Sequence, residues 1–218
     1  MYQFAGFAKS DFDIFLIPEF HERMSALRTT VRPKLAMLGD DLAPRLQELA
    51  GHVMFPHTAS HARRRVNPPD DTWVAFSRSE RGYKRYAHFE VGIFLHGIFV
   101  RFSVKPESDE DKVALLQYLE ERGLGAFNLK DPEPIYYFES DHGNGAHDIR
   151  SLTNDNIKEI IARTRLKSRG FTVGIVFNRD NSVLRSAEFI TRTHNAIRHL
   201  APLYQGTLND VRAHQRTL

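Results

Sequence analysis

The sequence predicts an α+β fold, a single domain in which a mainly antiparallel sheet surrounds a central hairpin and is packed by several helices. Three observations carry this. Apolar residues recur at steps of three, four or seven from Phe20 to Ala50, the period of a buried helical face. Two runs of alternation follow, Phe89, Val91, Ile93 and Leu95, then Ile98, Val100, Phe102 and Val104, joined at His96-Gly97. Such a hairpin forces antiparallel pairing, so helices between the later strands do not signal a doubly wound sheet. With 218 residues, 41% of them hydrophobic, the chain can bury one sizeable core without metal or disulfide staples.

The elements follow in order. Leu27, Val31, Leu35, Leu38, Leu42, Leu46 and Leu49 line one long helix or two consecutive ones. Pro33 lacks an N–H and Gly39 loosens the backbone, so a kink is expected at one of them and an end near Gly51. Val53 to Phe55 and Thr72 to Ser77 are β-rich runs that precede the hairpin. Ser108 is placed to cap a helix with an acidic first turn that runs to about Arg122. Ile135 to Phe138 and Thr172 to Phe177 read as strands, with a helix between them capped at Thr153 or Asn154. The last helix, Val183 to Leu200, puts Val183, Ala187, Ile190, His194 and Ile197 on one face.

Composition excludes several function classes. Cysteine is absent, which removes disulfides, thiol nucleophiles and thiolate metal sites, and suits a reducing compartment. No apolar run approaches the roughly 20 residues that span a bilayer. Asp11 and Asp13 stand where a secretion signal would be basic and then apolar, so a cytoplasmic protein without membrane association is expected. No GxGxxG, Walker A, nucleophile elbow or kinase motif is present, and no cofactor is implied.

Charge is informative through its distribution. From Ile157 onward eleven Lys and Arg face four acids, so with a net charge of +3 the first 156 residues are acidic on balance. Inside that acidic part lies a basic island from His57 to His88. Arg63, Arg64 and Arg65 form a run that the nearby Asp70 and Asp71 cannot wholly neutralise, and Arg81, Lys84 and Arg85 alternate with Tyr83 and Tyr86. Guanidiniums interleaved with aromatics suit phosphates and stacked bases. A strand over residues 72–78 is about 20 Å long, which sets the two basic loops at opposite ends unless one folds back. The alternative is that these arginines pair with Asp70, Asp71, Glu90 and the acids at Glu107 to Asp111 and merely anchor loops.

On the hairpin, His88 and Glu90 share one face with Arg101 and Ser103 of the partner strand. That face could line a pocket with His and Glu as acid and base and Arg as anion clamp. An ordinary solvated face is preferred, since antiparallel sheets commonly wet one side. His57 and His61 have i, i+4 spacing but no HExxH context, and no metal is expected. The loop Asp141 to Asp148, with two glycines among oxygen and imidazole donors, is read as a solvated connector.

The run His61-Ala62-Arg63-Arg64, Val66-Asn67-Pro68-Pro69-Asp70-Asp71-Thr72-Trp73-Val74-Ala75, then Arg81-Gly82-Tyr83-Lys84, His88-Phe89 and Gly92-Ile93-Phe94 resembles the signature of the YktB-like family of uncharacterised bacterial proteins. Phe12 to Phe15, Met24, Arg32-Pro33-Lys34 and Leu200 to Tyr204 agree with it. The resemblance covers residues 10–204, leaves 205–218 as a C-terminal tail, and implies a single cytoplasmic α+β domain spanning 1–218 with no assigned activity. The leading expectation from the residues is a binding domain for a phosphate-bearing ligand or nucleic acid, through His61, Arg63, Arg64, Arg65, Asp71, Arg81, Lys84, His88 and Arg101. A hydrolase, perhaps metal-assisted, using His57, His61, Asp71, His88 and Glu90 is one rival, and a protein-interaction module is another. The oligomeric state stays open.

Overall fold

The predicted hairpin forms the middle of a seven-stranded sheet. The structure is a computed structural model that describes residues 4–129, 133–139 and 145–215, with side chains described as far as Leu208. Its strands in chain order are β1 (Phe55–Thr58), β2 (Asp71–Ser77), β3 (His88–Phe94), β4 (Gly97–Val104), β5 (Tyr136–Phe138), β6 (Ala146–Asp148) and β7 (Phe171–Asn178). They lie side by side as β1-β2-β3-β4-β7-β5-β6, and every pairing is antiparallel. The α+β class is therefore as the alternation predicts.

The helices are α1 (Lys9–Asp13), α2 (Phe20–Ala26), α3 (Arg32–Ala50), α4 (Asp109–Arg122), α5 (Asn154–Thr164) and α6 (Glu188–Gln215). The expected kink takes the form of a π-helical turn, Leu27–Val31, between α2 and α3. Pro33 removes the N–H that would bond the Thr29 carbonyl, and its ring crowds that carbonyl, so the wider turn relieves both. Gly51 ends α3 in the left-handed conformation, with φ 76° and its N–H donated to the Gln47 carbonyl. Thr153 caps α5 reciprocally with Asn156.

Alternation sorts the sheet into two faces. Val74 and Phe76, Phe89 and Val91, Val100 and Phe102, and Val173 and Ile175 point toward α3 and α6 and share one core with Leu35, Leu38, Ile197 and Leu200. Gly39 lets α3 approach closely, since a Cβ there would meet Pro56 at 3.0 Å and Val74 at 3.2 Å.

Several expectations need correction. The opposite face, expected to be solvated, is buried: His88 and Ser103 are 0% exposed, Glu90 3% and Arg101 6%. The reason is that the loop after β2 folds back over it. Asp111 takes a two-pronged bond from Arg78 and accepts the Ala87 N–H, while Trp73 Nε1 donates to Tyr83 Oη. Ser108 stands at the N-cap of α4, yet its hydroxyl donates to the Lys84 carbonyl instead of capping. The last helix starts later than expected, because Asn181 caps a separate 3₁₀ turn at Ser182–Arg185. It also runs on past Leu200, because Leu203, Tyr204 and Leu208 are buried. The first β-rich run pairs two residues later than expected, at Phe55–Thr58. Residues 141–144 of the glycine-containing loop lie outside the described residues.

Candidate functional site

The buried face of the central strands holds a polar cluster roofed by aromatics. Alternation puts Asp71 and Trp73 of β2, His88 and Glu90 of β3, and Phe99, Arg101 and Ser103 of β4 on this side. Pairing fixes the neighbours: Glu90 lies opposite Arg101, His88 opposite Ser103, and Gly92 opposite both Trp73 and Phe99. Gly92 has a specific role. A Cβ there would sit 2.1 Å from Phe99 Cζ, so glycine alone lets the Phe99 ring lie across β3. The Arg101 guanidinium then stacks 3.8 Å from the Phe99 centroid and 4.3 Å from that of Phe138.

Glu90 is the electrostatic centre. Its Oε1 accepts from His88 Nε2 at 3.0 Å and from Lys105 Nζ at 3.2 Å. Burial by itself would raise this carboxyl, but the Lys105 ammonium, the His88 hydrogen bond and the Arg101 charge outweigh it and hold Glu90 well below the usual carboxylate range. The other His88 ring nitrogen, Nδ1, lies 2.7 Å from the Tyr86 carbonyl oxygen. Tyr83 covers His88 edge-on at 4.8 Å between centroids.

Two adjacent depressions open on this face. One, of about 240 Å³, is walled by Trp73, Tyr83, Lys84, Glu90, Lys105 and Glu107. Its neighbour, of about 230 Å³, is walled by Phe94, Phe138, Ala146 and Val176 with Asp70 at its edge. Asp71, Phe99 and Arg101 border both.

The structure thus gathers Asp71, Lys84, Glu90 and Arg101 around one recess, with His88 beneath Tyr83. His61 stands beside it. It is the only non-glycine residue with positive φ among the described residues, at 52°, and its ring meets Trp73 edge-on at 5.4 Å. His57 bonds the Ser79 carbonyl and lies 6.0 Å from the Tyr83 ring. The arginine run is elsewhere. Arg63 is exposed, Arg64 reaches the Asn67 and Pro68 carbonyls, and Arg65 bonds the Ala62 carbonyl. These guanidiniums hold their own loop, and Arg81 is likewise exposed and outside the recess walls. Among the described residues no three His, Asp or Glu side chains are grouped to hold a metal. Recess residues outside the candidate set read from the sequence include Trp73, Tyr83, Phe99 and Lys105, although Phe99, Arg101, Ser103 and Lys105 continue one alternation.

A family model described as "Domain of unknown function (DUF1054)" matches residues 7–204. The chain belongs to this family. Relatives of this DUF1054 chain include a UPF0637 protein of Bacillus velezensis, 37% identical over 204 residues that cover 91% of this chain and 94% of the relative. A UPF0637 protein of Listeria monocytogenes serotype 4a is 33% identical over 94% of this chain and 98% of its own length. One from Shouchella clausii is 34% identical over 93% and 95%. These relatives are bacterial, as the YktB-like resemblance implies. No helix among the described residues of the DUF1054 chain is long and apolar enough to cross a membrane.

Proposed function

We propose that this is a cytoplasmic binding protein for a small anion, a phosphate- or carboxylate-bearing molecule held in the sheet-face recess by Arg101, Lys105 and Lys84. The observation that carries the reading is the Arg101 guanidinium, stacked 3.8 Å from the Phe99 centroid and 4.3 Å from that of Phe138 at the border of both depressions, with Lys105 and Lys84 beside it. His88 presents both ring nitrogens to acceptors, the Tyr86 carbonyl and the Glu90 carboxylate, and neither acceptor has a proton to give. The buried charged side chains that wall the recess are Arg101 and Lys105 with Glu90 and Asp71, and Lys84 and Glu107 stand at the rim. One carboxylate, Glu90, is shared by Lys105 and His88. A guanidinium and ammonium groups in a water-poor recess suit an anionic guest.

Size separates this reading from nucleic-acid binding. A recess of about 240 Å³ is smaller than the about 300 Å³ at which ligand pockets usually begin, and suits one compact group rather than a strand. Trp73 is the only tryptophan of the chain and lines the recess, so its fluorescence reports occupancy. The test is a titration of the full chain with inorganic phosphate, acetate and a short single-stranded oligonucleotide at two salt concentrations. The expected result is saturable binding of the small anions that Arg101→Gln abolishes and the triple variant Arg63→Gln, Arg64→Gln, Arg65→Gln leaves intact. Oligonucleotide binding with a steep salt slope, lost in the triple variant, would move the site to the exposed loop and overturn the proposal.

A further inference from the structure

The recess is divided by chemistry, and the division specifies the guest. On the side of Lys84, Glu90 and Lys105 the lining is charged. On the other side of Arg101 it turns mostly apolar, with Phe94 of β3, Val176 of β7, Phe138 of β5 and Ala146 of β6, and with Asp70 and Asp71 at its edge. The register brings these together: Val176 is the cross-strand neighbour of Phe99, and Phe94 is that of Asp71. The same sheet face therefore changes within a few residues from His88, Glu90 and Ser103 to a cluster of rings and methyl groups. Arg101 stands at the boundary. Its planar guanidinium lies 3.8 Å from the Phe99 centroid and 4.3 Å from that of Phe138, and stacking on the rings holds its plane.

We propose that the guest is a small amphiphile: a carboxylate or phosphate head at Arg101 and Lys105, and an aliphatic or aryl tail in the arm formed by Phe94, Phe138 and Val176. This rests on the anion-binding reading and adds the tail. A free inorganic anion would occupy the charged compartment alone and leave the apolar arm to water, whereas a tail removes that apolar surface from water in the same event. A nucleotide-like guest is the poorer match, because the far arm offers mainly rings and aliphatic groups, and its acidic neighbours are Asp70, which pairs with Arg23, and Asp71, which borders both compartments.

The experiment is a chain-length series on the full-length protein, read by Trp73 fluorescence and by calorimetry. Acetate, butanoate, hexanoate and octanoate are compared with methyl, butyl and hexyl phosphate and with uncharged hexan-1-ol. Affinity is expected to rise about two- to four-fold per methylene until the arm is filled and then to level off. Hexan-1-ol should bind at least about ten-fold more weakly than hexanoate, a gap of the size expected for one charge-assisted hydrogen bond. Val176→Phe, a change at a half-buried position, should bring octanoate down to the affinity that the same variant shows for acetate, removing the gain with length. Equal affinity for acetate and octanoate overturns the amphiphile proposal and leaves the anion site standing. Failure of every member to bind overturns the anion-binding reading beneath it. A gain with length that survives Val176→Phe removes the tail from this arm.

Discussion

Replacing Glu90 by Gln tests the buried polar face most directly. Gln keeps the shape of the side chain and removes its charge, so Lys105 and His88 lose the carboxylate that both address at 3.0 to 3.2 Å. Glu90 is 3% exposed, which limits the water available to take its place. Breaking one partner out of a buried ion pair costs about 3–5 kcal/mol, a large share of the about 5–15 kcal/mol that holds a domain folded. For a chain of this length each kcal/mol moves Tm by about 2–4 °C, so the variant should melt about 6–20 °C below the wild type at pH 7. The pH dependence has a fixed sign. The folded-state carboxyl lies below its ordinary value of 4.5, so its contribution is fully present above that value and is lost as pH falls toward the folded-state one. The deficit of Glu90→Gln should therefore be greatest at neutral pH and shrink on acidification below 4.5. Urea unfolding followed by circular dichroism at pH 7, 5, 4 and 3 measures it. A deficit under about 1 kcal/mol at pH 7, or one that stays constant down to pH 3, would refute the assignment of Glu90 as a buried, doubly paired anion.

Three further outcomes are expected. Asp111→Asn weakens the two-pronged bond with Arg78 and should cost about 1.5–3 kcal/mol in urea unfolding, with a red shift of Trp73 emission as the loop loosens; unchanged stability would show that the pair does not anchor it. Gly174→Ala sets a Cβ 2.3 Å from the Val100 carbonyl oxygen and should cost about 1–3 kcal/mol, whereas Gly125→Ala, with no atom within 4 Å, should stay within about 0.5 kcal/mol; thermal melts that fail to separate the two would contradict the packing described. Replacing Arg63, Arg64 and Arg65 together by Gln should leave Tm within a few degrees of the wild type, and unfolding of this variant would make the run a structural anchor.

The hairpin was legible because alternation is a property of neighbouring residues: Phe89 to Val104 dictate which side chains face the helices before any tertiary contact exists. The chemistry of the opposite face was half legible. His88, Glu90 and Arg101 could be placed together, but not their burial, because the cover depends on Arg78 meeting a carboxylate 33 residues away and on Lys84 meeting Ser108, 24 residues away. Ser108 itself was misread, since a serine before an acidic helical turn looks the same whether its hydroxyl caps that helix or holds another loop. The arginine run drew attention by density of charge, yet guanidiniums on an exposed loop find nearby carbonyls as readily as ligands. Lys105 was overlooked because it lies just past the end of β4, where the alternation continues after the strand stops.

The use of Ser108 bears on how the molecule opens. With the hydroxyl turned to Lys84 and Asp111 engaged by Arg78 and the Ala87 amide, the first turn of α4 draws its order from the loop preceding β3 rather than from within the helix. Helix and loop therefore gain and lose protection as one cooperative unit. In native-state hydrogen exchange, the amides of residues 112–116 and that of Ala87 should share a common opening free energy. A guest that immobilises Lys84 should slow exchange in α4 without touching it, by ordering a segment that the helix depends on.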